Sequence, residues 1–257
     1  MKNPARGGGR WVEVAPERLV TWVDSFAERH LGVSAEVTES GVIRFAGEDG
    51  AIAECHVPFP PVAHMPPDAA GASGVVGAAG AAAVAQLIAD HATADRTVGV
   101  LLVRLGGYAA GVFAGSPPRL VASKVGSRLV HGRSAAGGTS QHRFARRREK
   151  QATEAIGTAA DTAAAVFGQA GRKLDALVLG GDRTAISSLR DDPRLAAYFA
   201  KAADRFLTVP DPRLAVLRET PRMFRVIRIR LIEPAPGEAR QPEPGPGSAH
   251  DGEAFGA

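Results

Sequence analysis

The stretch with the strongest chemical character is His131-Gly-Arg-Ser-Ala-Ala-Gly-Gly-Thr-Ser-Gln-His-Arg-Phe-Ala-Arg-Arg-Arg-Glu-Lys-Gln151, where a glycine-rich loop runs straight into a cluster of cations. Gly132, Gly137 and Gly138, with the small residues Ser134, Ala135, Ala136, Thr139 and Ser140, combine high backbone freedom with little bulk. Such a loop can enter a narrow space. Gln141 stands at the junction of loop and cations. A glutamine amide does not titrate usefully at neutral pH, so it is no general base. What it supplies is orientation and hydrogen bonding, from the side chain or from its own backbone N–H. Beyond it, Arg143, Arg146, Arg147 and Lys150 follow the helical spacing i, i+3, i+4, i+7 and fall on one stripe at about 100° per residue. A cationic stripe of this kind suits a phosphate backbone. Arg148 falls off the stripe and takes no role.

Other reactive residue types carry less. Cys55 lies in a β-prone run with no nearby partner and reads as a small buried residue. His131 and His142 flank the loop and can touch RNA without any catalytic duty. The seven histidines form no zinc spacing, and one cysteine excludes the common structural zinc sites. Gly180-Gly181-Asp182 follows a strand and opens a helix, with Asp182 as N-cap and Gly181 making the turn. It is neither a Walker loop nor a dinucleotide fingerprint, so no nucleotide, metal or other cofactor is expected.

The elements that must position the loop can be read on either side of it. Val98 to Leu105 is an almost continuous aliphatic run ending at Gly106-Gly107, the pattern of a buried central strand. Tyr108 to Ala114 and Leu120 to Val125 follow after short turns, which can join only antiparallel neighbours, so the three form a meander. After the loop the period changes. Ala152, Ala155, Ile156, Ala159, Ala160, Ala163, Val166, Phe167 and Ala170 mark one face of a long helix closed by Gly171, roughly opposite the cationic stripe. A short strand at Ala176 to Leu179, a helix after Asp182, a helical pattern around Leu195 to Ala203 and a final strand from Phe224 to Ile232 complete the order. The economical architecture is α+β, a mixed sheet flanked by helices, and the order resembles the ribonuclease H-like fold. Nucleases of that fold hold metal ions with carboxylates on and beside the first strand, whereas Val98 to Leu105 offers only Arg104 as a charge. A two-metal nuclease would lack its ligands here.

Upstream, Pro16 and Glu17 start a helix in which Leu19, Val23, Phe26 and Ala27 recur before Gly32 stops it. Val42 to Ala46 and Ile52 to Val57 are strands joined through Gly47-Glu48-Asp49-Gly50, and prolines from Pro58 to Pro67 then break the chain. The uncharged stretch Ala69 to Ala89 is built of alanine and glycine rather than leucine and phenylalanine, and reads as a loop leading into a helix around Ala81 to His91 rather than a membrane span. The expected organisation is therefore a flexible lead over 1–10, a small α+β module over 11–67, a Gly/Ala-rich connector and helix over 68–94, a main domain over 95–232 and a disordered Pro, Gly and Glu-rich tail over 233–257. The 257 residues carry a formal net charge of +4, with a sequence pI near 9.6, which favours a polyanionic partner. One cysteine allows no internal disulfide, and the cytoplasm is the expected compartment.

Gly137-Gly138-Thr139-Ser140-Gln141 followed by a basic helix resembles the catalytic loop of Vms-like release factors, relatives of the eukaryotic and archaeal peptide-release factors. Those factors carry a Gly-Gly-Gln loop and the Vms-like branch a Gly-x-x-Gln variant, which Gly138 to Gln141 fits. The layout is most similar to the actinobacterial members, peptidyl-tRNA hydrolases, over roughly residues 95 to 232. The resemblance implies a release-factor catalytic-domain fold and hydrolysis of the ester between a nascent peptide and tRNA on the large ribosomal subunit. It places Gln141 at the ester, where the glutamine orders the attacking water, in a chain expected to act as a monomer with no membrane association. Thr139 and Ser140 separate the glycine pair from the glutamine, so the loop geometry differs from that of the Gly-Gly-Gln factors. No stop-codon-reading domain, zinc finger or ankyrin repeat is apparent, which favours rescue of stalled peptidyl-tRNA over ordinary termination. The alternative is a non-catalytic ribosome or RNA-binding protein in which the same loop and helix only dock.

Overall fold

The computed structural model describes residues 4–5, 8–38, 42–62, 75–104, 107–127, 141–170 and 173–234, with the backbone alone at 141–150 and 152. In chain order the elements are β1 (Arg10–Val14), α1 (Leu19–Arg29), β2 (Ser34–Val37), β3 (Ile43–Ala46), β4 (Ile52–His56), α2 (Ala78–Thr93), β5 (Val98–Arg104), β6 (Gly107–Ala114), β7 (Arg119–Ser127), α3 (Gln141–Gln169), β8 (Ala176–Gly181), α4 (Arg183–Leu189), α5 (Ala196–Phe199), β9 (Ala202–Leu207), α6 (Leu214–Arg225) and β10 (Ile227–Ile232). They build two five-stranded sheets, ordered β1-β10-β4-β3-β2 and β7-β6-β5-β8-β9.

The second sheet is mixed. β5, β6 and β7 form the expected antiparallel meander, while β8 lies parallel to β5 and β9 parallel to β8. Every residue of β5 from Val98 to Val103 is buried, because helices cover both faces. On one face Leu101, Val103, Ala110 and Val112 meet Ala159, Ala160, Ala163 and Phe167 of α3. On the other, Val100, Leu102, Ala109 and Phe113 meet Leu217 and Phe224 of α6. This is the mixed sheet flanked by helices that the sequence predicts, in a ribonuclease H-like arrangement.

Two local expectations are corrected. The helical pattern around Leu195 to Ala203 shrinks to a single turn, and the chain from Ala202 becomes β9, because the open edge of β8 offers backbone partners such as Leu177 N–H, which donates to Lys201 O at 2.8 Å. The final strand begins at Ile227 rather than Phe224, whose ring completes the buried face of α6. Pro221 inside α6 has no N–H for Leu217 O, and the buried Thr220 hydroxyl donates to that carbonyl instead, at 2.7 Å.

The first sheet is antiparallel throughout. β10 leaves α6 and inserts between β1 and β4, with Ile227, Ile229 and Leu231 turned into the core under α1 and α2. One sheet is thus completed by a strand from the far end of the chain. Arg205 of β9 fastens the two sheets, donating to Val226 O at 2.9 Å and to Glu13 at 2.8 Å. Phe59, Phe224 and Phe113 make a run of edge-to-face contacts between them.

Candidate catalytic loop and basic helix

The register of the meander fixes where the loop leaves the fold. Ser127, the last residue of β7, pairs with Gly107, and Gly107 pairs with Arg104, so the chain departs from the edge of the second sheet at which β5 and β8 end. It returns as α3, whose first residue is Gln141. Gly137, Gly138, Thr139 and Ser140, together with His131, lie outside the described residues. For Gln141, Arg143, Arg146, Arg147 and Lys150 the backbone is helical, while their side chains, like that of His142, lie outside the description.

Twenty-nine residues make α3 about 43 Å long, whereas the seven residues of β5 span about 23 Å. Among the described side chains of α3, the buried ones are Ala159, Ala160, Thr162, Ala163, Val166 and Phe167, all in its C-terminal half. Alanines there let the helix axis lie close on the sheet, and Phe167 closes the packing edge-on to Tyr198 at 5.1 Å. A helix anchored over half its length on a shorter sheet carries its first half beyond it. By helical phase, positions 143, 146, 147 and 150 lie roughly 150° from the centre of the buried face. Arg194 braces the middle of α3 through Asp161, at 2.7 Å. Its guanidinium is held above the ordinary arginine range by Asp192 first and Asp161 second, and Arg194 in turn holds the Asp192 carboxyl down.

The edge from which the loop departs carries little else for chemistry. Arg104 donates to Val209 O at 2.7 Å and sits 3.9 Å from Asp211. Gly181 has φ +99°, and a Cβ there would lie 2.1 Å from Val103 O, so the turn out of β8 admits only glycine. Asp182 is the N-cap of α4, its carboxylate accepting from Thr184 N–H at 2.8 Å and Ala185 N–H at 3.0 Å, which is the structural role its position predicts. Among the described residues no three His, Cys, Asp or Glu side chains come together in a way that would hold a metal ion. Cys55 is buried in the first sheet, and burial pushes its thiol far above the ordinary range, away from any nucleophilic role. No described helix is long and apolar enough to cross a membrane.

The family model for the actinobacterial and Chloroflexi VLRF1 release factor matches residues 96–230, just over half of the chain, from the residues preceding β5 into β10. No curated protein matches the chain. Among solved structures, Pelota from Archaeoglobus fulgidus, described for its inter-domain structural plasticity, is similar at 11% identity and a TM-score of 0.28. That alignment covers 88% of this chain and 66% of the Pelota chain, just under two thirds of its length.

Proposed function

The chain belongs to the actinobacterial and Chloroflexi VLRF1 release-factor family, and from that membership we propose that it hydrolyses the ester joining a nascent peptide to tRNA on stalled large ribosomal subunits. One observation carries the reading: Gln141 is the first residue of a 29-residue helix that is anchored by its far half and holds four cations in phase within its first three turns. A narrow reaction centre inside a large RNA particle has to be reached by such a projection. Arg143, Arg146, Arg147 and Lys150 take phosphates along the way.

At the ester, the oxygen of a water adds to the peptide carbonyl carbon, and the bond from that carbon to the ribose oxygen of the terminal adenosine breaks. The water's proton passes to the leaving ribose oxygen, so the products are a peptide acid and a free tRNA hydroxyl. Gln141 orients the water and hydrogen-bonds the developing charge, by its side-chain amide or its backbone N–H. Gly137 and Gly138 allow the backbone to approach the ester closely, and Thr139 and Ser140 set the distance between that turn and the glutamine. The reading needs no metal or cofactor, and it assigns the protein to the cytoplasm as a monomer engaged in rescue rather than termination.

Peptide release from stalled ribosome–nascent-chain complexes tests it. Gln141→Ala is expected to slow release by about 10²–10³ while leaving ribosome binding intact. The joint change of Arg146, Arg147 and Lys150 to Ala is expected to weaken binding itself. Equal release by the native and Gln141→Ala proteins would leave a docking protein with no catalytic glutamine.

A further inference from the structure

Among the described residues, helices cover only one face of the first sheet. Ile229, Cys55, Ile43 and Phe45 turn toward α1 and α2, while the alternate residues of the same strands point the other way and none of those is buried. Two transverse rows cross this open face. In the first, the register sets Trp11, Arg230, Glu54, Arg44 and Glu36 side by side. Its charges close on one another: Arg230 to Glu54 at 2.7 Å, Arg44 to Glu54 at 3.4 Å and Arg44 to Glu36 at 2.7 Å. In the second row Glu13, Arg228 and His56 are neighbours, and Glu13 is taken by Arg205 at 2.8 Å.

Arg228 is the exception. Among the described residues it pairs with no carboxylate; its guanidinium carbon lies 4.3 Å from the centroid of the Trp11 ring. His56 meets the same indole edge-on at 5.0 Å. Partial burial lowers the His56 pKa from its ordinary value, against the pull of Glu54 and with the push of Arg228 and Arg230, so the imidazole is neutral at pH 7 and offers both a donor and an acceptor. Every carboxylate of the two rows is already paired, and the charge left over is positive. An aromatic ring on an open sheet, with a guanidinium laid on it that no described carboxylate neutralises, makes a platform for an unpaired nucleotide, whose base stacks on rings or guanidinium planes and whose phosphate takes the charge.

We propose that this face is a second RNA-contact surface, in which an unpaired base stacks on the Trp11–Arg228 pair while Arg228 and His56 hold its phosphate and base edge. The inference rests on the release-factor reading for the presence of RNA where the protein works, but it concerns residues separate from the loop and α3. An acidic peptide could satisfy Arg228 but not the stacking, and it becomes an outcome of the test.

The chain has two tryptophans, so Trp22→Phe leaves Trp11 as the single indole reporter. In that protein, with Arg143, Arg146, Arg147 and Lys150 changed to Ala so that the cationic stripe of α3 is removed, a short oligouridylate is expected to quench Trp11 saturably. The quench is expected to weaken as salt rises. Arg228→Gln should weaken binding about fivefold or more, the loss expected for one stacking contact, while Arg218→Gln on the exposed side of α6 changes nothing. Circular dichroism checks that both variants keep the fold. Absence of a quench, indifference to Arg228→Gln, or an equal response to polyglutamate would overturn the proposal. Peptide release by the native protein, measured alongside, separates the two readings: release without a quench sinks this surface alone, and a quench without release sinks the hydrolase alone.

Discussion

Inserting one alanine between Gln151 and Ala152 tests whether α3 delivers Gln141 in a fixed phase. The insertion turns everything N-terminal to it by about 100° relative to the anchored half and moves it about 1.5 Å along the axis. Thr153 and Glu154, just beyond the insertion, are exposed, and the α3 residues described as packed on the core, from the partly buried Ile156 onward, all lie C-terminal to it, so the core is left alone. Alanine keeps the helix intact, and thermal stability is expected to change by no more than about 0.5 kcal/mol. The cationic stripe, however, swings a quarter-turn or more away from its direction. Release from stalled complexes is expected to fall by about 10²–10³. Ribosome binding should lose salt dependence as phosphate contacts are lost, each accounting for about 0.7–0.9 of the log–log slope. Seven alanines provide the internal check: they turn the helix by about 700°, within about 20° of the native phase, but carry Gln141 about 10.5 Å further out. That variant should regain the salt slope and still fail in release. A one-alanine variant that releases peptide at the native rate refutes the idea of a phased, rigid projection.

Two further expectations concern the scaffold. His91 bonds Phe59 O at 3.0 Å beside Arg96, and burial, the largest cause, lowers its pKa from the ordinary 6.5, so the folded state holds the neutral ring. Unfolding then takes up a proton below about pH 6.5, and stability falls as pH drops through that range; a Tm–pH series in which His91→Gln leaves the slope unchanged would contradict this. Thr220→Val is nearly isosteric but leaves Leu217 O, already deprived of an amide partner by Pro221, buried and unbonded. The expected cost is about 1–3 kcal/mol and several degrees of Tm, and a Val variant melting with the native protein would show that the hydroxyl does not matter.

Elements whose signal is local were legible in the sequence. β5 announces itself because five of its six successive buried positions are Val or Leu, with only Gly99 between them, and the C-terminal half of α3 because alanine and larger apolar positions recur at helical spacing. β9 was not legible, since Ala202–Leu207 lies in a stretch whose composition also suits a helix; the partner edge of β8 decides. The helix α6 hid behind Pro221, a residue that ordinarily ends helices and is tolerated here through the Thr220 hydroxyl.

The two candidate RNA-facing features differ in the same way. Gln141, the glycines before it and the four cations after it are contiguous in sequence, so their residue types and spacing suffice to single them out. Trp11, His56 and Arg228 come from three distant segments, and nothing in any one segment marks them. The alternation Ile-Arg-Ile-Arg-Leu-Ile shows that β10 has a buried face and a charged face, but only its insertion between β1 and β4 brings Arg228 over Trp11 and beside His56. Pairing also decides which charges are left over: Glu54 neutralises Arg230 and Arg44, and Glu13, the register partner of Arg228, is taken by Arg205, so among the described residues Arg228 lies against an indole instead of a carboxylate. A contact surface made of what a sheet leaves unpaired becomes visible only once its strands have been put in order.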